Sequence, residues 1–206
     1  NKFITGSVQT IKVDKDYPEN TLAGAVFEIY VDVDNNKEFD SETDLLVGEM
    51  TEGENGVHTY EKLRYNGYFL HEKSAPEGFL KDDGYYYFEI RVNGEMVIVD
   101  NEAGIGFINQ AIKGNVELTK VDAEKTDTKL GGAVFKIYAD TNANGEYDAE
   151  DKFVTELTDN EGVYRAEGIR YGNYFCIEES APVGFVADIK AYYFEIRTDG
   201  ETIVIA

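Results

Sequence analysis

Apolar and polar residues alternate with a period of two along several stretches of the chain. Ala25, Phe27, Ile29 and Val31 interleave with Val26, Glu28 and Tyr30, and Tyr86, Phe88 and Ile90 with Tyr87, Glu89 and Arg91. This is the pattern of half-buried antiparallel strands, in which successive side chains point to opposite faces. Helical periodicity is missing throughout. Asn-Gly at 66–67 and 93–94, Asp-Gly at 199–200 and two Ala-Pro-x-Gly turns punctuate the short strands. Together these signals predict an all-β chain of Ig-like β-sandwiches with about seven strands each.

The chain is written twice. Ile11-Lys12-Val13-Asp14 recurs as Thr119-Lys120-Val121-Asp122, and Ala23-Gly24-Ala25-Val26-Phe27 as Gly131-Gly132-Ala133-Val134-Phe135, both at a shift of 108 residues. Downstream the shift becomes 106: Glu72-Lys73-Ser74-Ala75-Pro76 matches Glu178-Glu179-Ser180-Ala181-Pro182, and Tyr86-Tyr87-Phe88-Glu89-Ile90-Arg91 matches Tyr192 through Arg197. A repeat of this length implies two tandem domains, 1–113 and 114–206, joined near Ile112-Lys113-Gly114.

Composition narrows the function. Forty-one acidic and 19 basic residues give a formal net charge of −22, a field that repels phosphate backbones and excludes nucleic acid as a partner. The single cysteine, Cys176, makes no intramolecular disulfide and is expected to be a small core residue. No apolar run approaches the roughly 20 residues of a membrane-spanning helix, so no membrane insertion is expected in this segment. The opening Asn1-Lys2-Phe3 carries no initiator methionine or signal peptide and reads as an excerpt of a longer protein.

Following the alternation exposes polar residues on the apolar face. Lys120 shares a face with Val116 and Leu118, as Lys12 does with Val8 and Thr10. Glu72 shares one with Tyr68 and Leu70, as Glu178 does with Tyr174 and Cys176, and Asn109 follows Ile105 and Phe107. Burying a lone ammonium or carboxylate drives the group toward its neutral form. A neutral lysine amine is a nucleophile, a protonated glutamic acid polarises an amide carbonyl, and an asparagine supplies that carbonyl with ammonia as leaving group. Held in fixed geometry away from water, such a trio forms a Lys–Asn isopeptide bond without any cofactor.

These residues resemble the collagen-adhesin B-type (Cna-B) domains of Gram-positive surface adhesins and sortase-assembled pilins. Lys-Val-Asp on the first strand looks like the family's reactive lysine. The segment from Tyr68 through Phe79 resembles its E-box, and Phe107-Ile108-Asn109 its terminal asparagine strand. The resemblance implies two prealbumin-like β-sandwiches. In the first, Lys12 and Asn109 are joined with Glu72 as proton shuttle; in the second, Lys120 and Glu178 play the same parts. It also implies an extracellular, cell-wall-anchored protein whose partners are neighbouring domains of the same adhesin or pilus. Repeat two departs from the pattern, because its acceptor asparagine would fall near position 215 and the last strand is therefore expected to be lacking.

An acidic insertion follows the second strand of each repeat. Asp140, Asn142, Asn144, Glu146, Asp148 and Asp151 place oxygen ligands at EF-hand spacing, with Gly145 at the turn. Calcium is expected there as a loop clamp. In repeat one Asp32, Asp34, Asn36, Asp40 and Asp44 follow the pattern less closely: Lys37 replaces the glycine and Asp44 arrives one residue late. His58 and His71 do not recur in repeat two and are expected at the surface, and Tyr17-Pro18-Glu19-Asn20 reads as a turn. Tyr30, Tyr87, Tyr138 and Tyr193 fall on outer strand faces, where they would form a surface for a host protein or glycan. That binding role is the alternative to a mechanical stalk module. An enzyme acting on an external substrate is not expected, because no acid, base and nucleophile set converges.

Overall fold

The computed structural model describes residues 2–206, which divide into two compact units on either side of the step from Ala111 to Ile112. The first holds nine strands: β1 (Thr5–Asp14), β2 (Val26–Val31), β3 (Leu45–Glu49), β4 (Thr51–Glu52), β5 (Val57–Arg64), β6 (Asn66–Ser74), β7 (Tyr85–Ile90), β8 (Met96–Ile98) and β9 (Phe107–Asn109). The second holds eight: β10 (Lys113–Thr119), β11 (Val134–Ala139), β12 (Lys152–Glu156), β13 (Thr158–Asn160), β14 (Val163–Arg170), β15 (Gly172–Ser180), β16 (Tyr192–Ile196) and β17 (Thr202–Ile205). The excess over the expected seven consists of strands of two to four residues at sheet edges, too short for a period-two signal.

Each unit is a β-sandwich. In the first, one sheet has the order β4-β5-β1-β8 with β9 also pairing β1, and the other β3-β2-β6-β7. The second repeats this as β13-β14-β10-β17 and β12-β11-β15-β16. The inward-facing members of the alternating runs form the cores. Val8, Phe27, Ile29, Leu70, Ile90 and Phe107 are completely buried in one core, and Ile137, Tyr164 and Ile196 in the other.

One edge of β1 is shared by two strands. β8 runs parallel to Ser7–Gln9, and β9 runs parallel to the far end, with Lys12 beside Phe107 and Asp14 beside Asn109. Between them the chain leaves the edge and returns through Gly106, at φ 128°, where a Cβ would stand 2.7 Å from the Ile11 carbonyl oxygen. Only glycine fits that approach. The same turn swings Ile105 outward, 43% exposed, so it does not share the buried face with Phe107 and Asn109 as the alternation predicts.

Strand β6 departs from simple alternation in the other direction. Residues 67–72 are all buried, because side chains cover the outer face of the sheet as well. Phe39, from the loop after β2, packs edge-on to Phe69 with ring centroids 5.7 Å apart and stacks on Tyr85 at 3.5 Å; Tyr85 in turn stacks on His71 at 4.1 Å. His71 is therefore buried, contrary to expectation. Tyr30, Tyr87 and Tyr138 are half-buried in such outer clusters, which leaves only Tyr193 of the four exposed.

Candidate functional site

Lys12, Glu72 and Asn109 meet inside the first unit. Lys12 comes from β1 in one sheet, Glu72 from β6 in the facing sheet and Asn109 from β9. The first two are fully buried and the third is 2% exposed. The Lys12 Nζ lies 3.3 Å from Glu72 Oε1 and donates to the Phe107 carbonyl at 3.0 Å. The Asn109 Nδ2 donates to both Glu72 oxygens, at 2.9 and 3.0 Å. Glu72 Oε1 thus touches the amine on one side and the carboxamide on the other. Asn109 Oδ1 is buried with no hydrogen-bond partner among the described residues.

Apolar walls seal the site. The Phe107 ring lies 4.7 Å from Lys12 Nζ and meets the rings of Phe27 and Tyr86 edge-on at 4.8 and 5.2 Å. Burial dominates the lysine's electrostatics, pulling its pKa from 10.5 to about 8 against the opposing pull of the Glu72 carboxylate. At pH 7 about a tenth of the amine is then neutral, far more than for an exposed lysine.

A second layer of hydrogen bonds holds the acid. The Asp82 backbone N–H donates to Glu72 Oε2 at 2.8 Å, and the Asp82 carboxylate accepts from Tyr86 Oη at 2.7 Å and Asn101 Nδ2 at 2.9 Å. Burial opposes the Asp82 charge, but these bonds and one from the Gly84 N–H outweigh it and hold its pKa below the ordinary value. Sequence reasoning missed Asp82. The signal was present, since Asp188 and Tyr192 recur at the 106-residue shift, with Asp188 N donating to Glu178 Oε2 at 2.7 Å and Tyr192 Oη to Asp188 Oδ2 at 2.7 Å.

The second unit assembles part of the same arrangement. Lys120 Nζ donates to Glu178 Oε2 at 2.9 Å, with side-chain exposures of 20% and 1%. Lys120 lies one residue past β10 and is half-buried, not on the fully buried face its register predicts. The reason is local: no strand among residues 112–206 runs beside Lys120–Asp122 as β9 runs beside Lys12–Asp14. The hollow beside Lys120 is lined by Leu118, Phe135, Cys176, Tyr192 and Ile205 and contains no asparagine. Glu178 Oε1 is left buried without a partner among the described residues.

Among the other candidates, Cys176 is 1% exposed, and burial alone pushes its thiol up to about 12, as befits an inert core residue. His58 is also buried. Its ring nitrogens lie 3.1 Å from the Gly56 and Ala25 carbonyls. Its counterpart Tyr164 makes the equivalent tie, its hydroxyl donating to the Leu130 carbonyl and accepting from the Ala133 N–H. Tyr17–Asn20 forms the expected turn, closed by the Asn20 N–H on the Tyr17 carbonyl.

Both acidic insertions curl around their first aspartate. Asp32 accepts from the Asn36 and Lys37 N–H groups, and Asp140 from those of Asn144 and Gly145. In repeat one, carboxylate oxygens of Asp32, Asp34 and Asp44 lie within 4.8 Å of one another, the only such gathering among the described residues. Asp44 comes into range because a turn from Asp40 to Asp44 absorbs the extra residue. Asn36 and Asp40 are engaged in loop hydrogen bonds to the Glu38 and Glu42 N–H groups. In repeat two the Asn142 and Asn144 amides both donate to Asp148, and Asp151 accepts from the Asp148 N–H. Glu146 is exposed.

Comparison with known proteins places the fold. The TIE protein of Bacillus anthracis superposes with a TM-score of 0.77 at 28% identity, over 98% of this chain and 33% of that one. The pilus adhesin SpaC of Lactobacillus rhamnosus GG superposes with a TM-score of 0.51 at 15% identity, over 96% of this chain and 27% of that one, a likeness of fold alone. The chain thus spans about a third of the length of the TIE protein. No curated protein matches it. The family described as "SpaA: Prealbumin-like fold domain" matches twice, over residues 6–103 and 114–206, and the chain belongs to that family, carrying two of its domains in tandem.

Proposed function

We propose that the first unit welds itself through an isopeptide bond between Lys12 and Asn109. The observation that carries this reading is the single Glu72 oxygen in reach of both the Lys12 amine and the Asn109 carboxamide, with all three groups sealed from water. Glu72 takes a proton from the Lys12 ammonium, leaving a neutral amine. A half-turn of the Asn109 carboxamide presents its unpartnered Oδ1 to the protonated acid, which polarises the carbonyl. The amine attacks Cγ, the Cγ–Nδ2 bond breaks, and Glu72 passes a proton to the departing nitrogen while accepting one from the attacking nitrogen. The products are a secondary amide, one ammonia and a protonated Glu72, so atoms and charge balance. Fixed geometry supplies the effective concentration the reaction needs.

Joining the first strand to the last carries tension through a covalent bond across the domain. We read the chain as a stalk module of a cell-wall-anchored adhesin or pilus on a Gram-positive surface, with neighbouring domains as its partners. Membership of the SpaA prealbumin-like family supports that setting. No described helix is long and apolar enough to cross a membrane. Calcium serves, on this reading, as a clamp on the acidic loops. In repeat one the carboxylates of Asp32, Asp34 and Asp44 suit a hard cation that takes oxygen ligands.

Intact mass tests the bond. The folded chain is expected to weigh less than its sequence by one ammonia, and Lys12→Ala and Asn109→Ala each to restore the full mass. A folded wild-type chain of full mass overturns the reading. For the clamp, calcium is expected to raise the melting temperature of the wild type and not of Asp32→Ala.

A further inference from the structure

We propose that Asn101 is a positioning residue for the acceptor strand: its carboxamide stands in for a neighbouring strand along the outer edge of β9 and ties that edge, through Asp82, to Glu72. This role rests on the Lys12–Asn109 reading above.

Strand β9 is only three residues long. One edge is spoken for, since it runs beside β1 and the Asn109 carbonyl accepts from the Lys15 N–H at 3.0 Å. Successive residues of a strand turn their backbone groups to opposite sides, so the N–H and C=O of Ile108 point the other way. Among the described residues no strand lies there. Asn101, in the loop after β8, fills the place. Its Oδ1 accepts from the Ile108 N–H at 2.7 Å, and its Nδ2 donates to the Ile108 carbonyl at 3.0 Å. A side-chain amide offers one acceptor and a donor pair, the set a peptide unit of a sheet neighbour would present, and both groups of Ile108 are satisfied by it.

The second Nδ2 hydrogen extends the clamp. It bonds the Asp82 carboxylate at 2.9 Å, and the Asp82 N–H bonds Glu72 at 2.8 Å. Ile108 precedes the reacting asparagine, and Asp82 carries the donor that orients the acid. Asn101 therefore locks the carboxamide-bearing strand and the acid into one frame.

Two variants separate this role from a general contribution to the fold. Asn101→Ala removes the clamp. Asn101→Asp keeps an acceptor for the Ile108 N–H but loses both donations and sets two carboxylates face to face. Followed by intact mass during refolding, both are expected to lose ammonia roughly ten- to a hundredfold more slowly than wild type, the cost of a small misplacement of reacting groups. In a Lys12→Ala background, which cannot cross-link, Asn101→Ala is expected to speed hydrogen exchange at the Ile108 amide while leaving amides of β2 and β6 protected. Ammonia loss at the wild-type rate, or unchanged exchange at Ile108, overturns the proposal. A wild-type chain that never loses ammonia removes the reaction itself, an outcome distinct from a reaction that is indifferent to Asn101.

Discussion

The two units carry the same lysine and the same glutamate in different settings. In the first, β9 covers the pair: Lys12 is fully buried, Phe107 lies over its amine, and Asn109 occupies the acid. In the second, nothing among residues 112–206 covers the corresponding edge, Lys120 is partly exposed, and one oxygen of Glu178 has no partner among the described residues. Burial lowers the pKa of Lys12 to about 8. A lysine and a glutamate on facing strands therefore do not by themselves build the sealed setting that the proposed reaction needs. The third strand excludes water, and in the reaction proposed above that exclusion, as much as the carboxamide it carries, turns an ion pair into a nucleophile beside its target.

Breaking the covered pair should have the largest effect. Lys12→Ala removes the proposed cross-link, whose closure of a loop of nearly a hundred residues would contribute roughly 4–5 kcal/mol if it acts as a disulfide does. A large drop in the denaturation midpoint of the first unit is expected, and an unchanged midpoint would deny the bond any mechanical weight.

The rate of bond formation should depend on pH, because the reaction needs the one proton that Lys12 and Glu72 share. Passing that proton from the Lys12 ammonium to Glu72 leaves the pair's proton count unchanged, so the rate is expected to hold level up to about pH 8, where the pair loses it, and to fall above. Refolding at a series of pH values, with ammonia loss followed by mass, measures this directly. A rate that climbs about tenfold per pH unit through pH 7 would mean that the amine gives its proton to solvent and that the acid is not needed.

The uncovered pair should matter less. Lys120→Ala leaves Glu178 with water close at hand and is expected to cost the second unit about 1–3 kcal/mol, read from amide exchange in β15. A loss as large as that of Lys12→Ala would mean the second site is sealed as well.

The smallest effect concerns the acidic loops. Lys37 holds φ at 66° where Gly145 holds 73° in the other repeat. A left-handed conformation costs a non-glycine residue about 1–2 kcal/mol. Lys37→Gly is therefore expected to stabilise the first unit by about 1 kcal/mol, after the entropy of the unfolded glycine is counted. Destabilisation would mean that the exposed ion pair of Lys37 with Glu89 outweighs the backbone strain.

Much of this arrangement was legible in the sequence because strand alternation reports burial directly. Lys12 and Glu72 stand out as polar residues in apolar register, and the internal repeat marks both. Features made by loops were not legible. His71 looked exposed because alternation knows nothing of Phe39 and Tyr85 folding over the outer face. Ile105 looked buried because the positive φ of Gly106 interrupts the register. Asn101 left no periodic trace, since its role depends on a loop returning beside a three-residue strand.

Peptide mapping of the folded wild-type chain tests the central claim most directly. After proteolysis, tandem mass spectrometry is expected to find the fragment containing Lys12 joined to the fragment containing Asn109, one ammonia lighter than their sum. Recovery of the two fragments separately, each at full mass, would contradict the account.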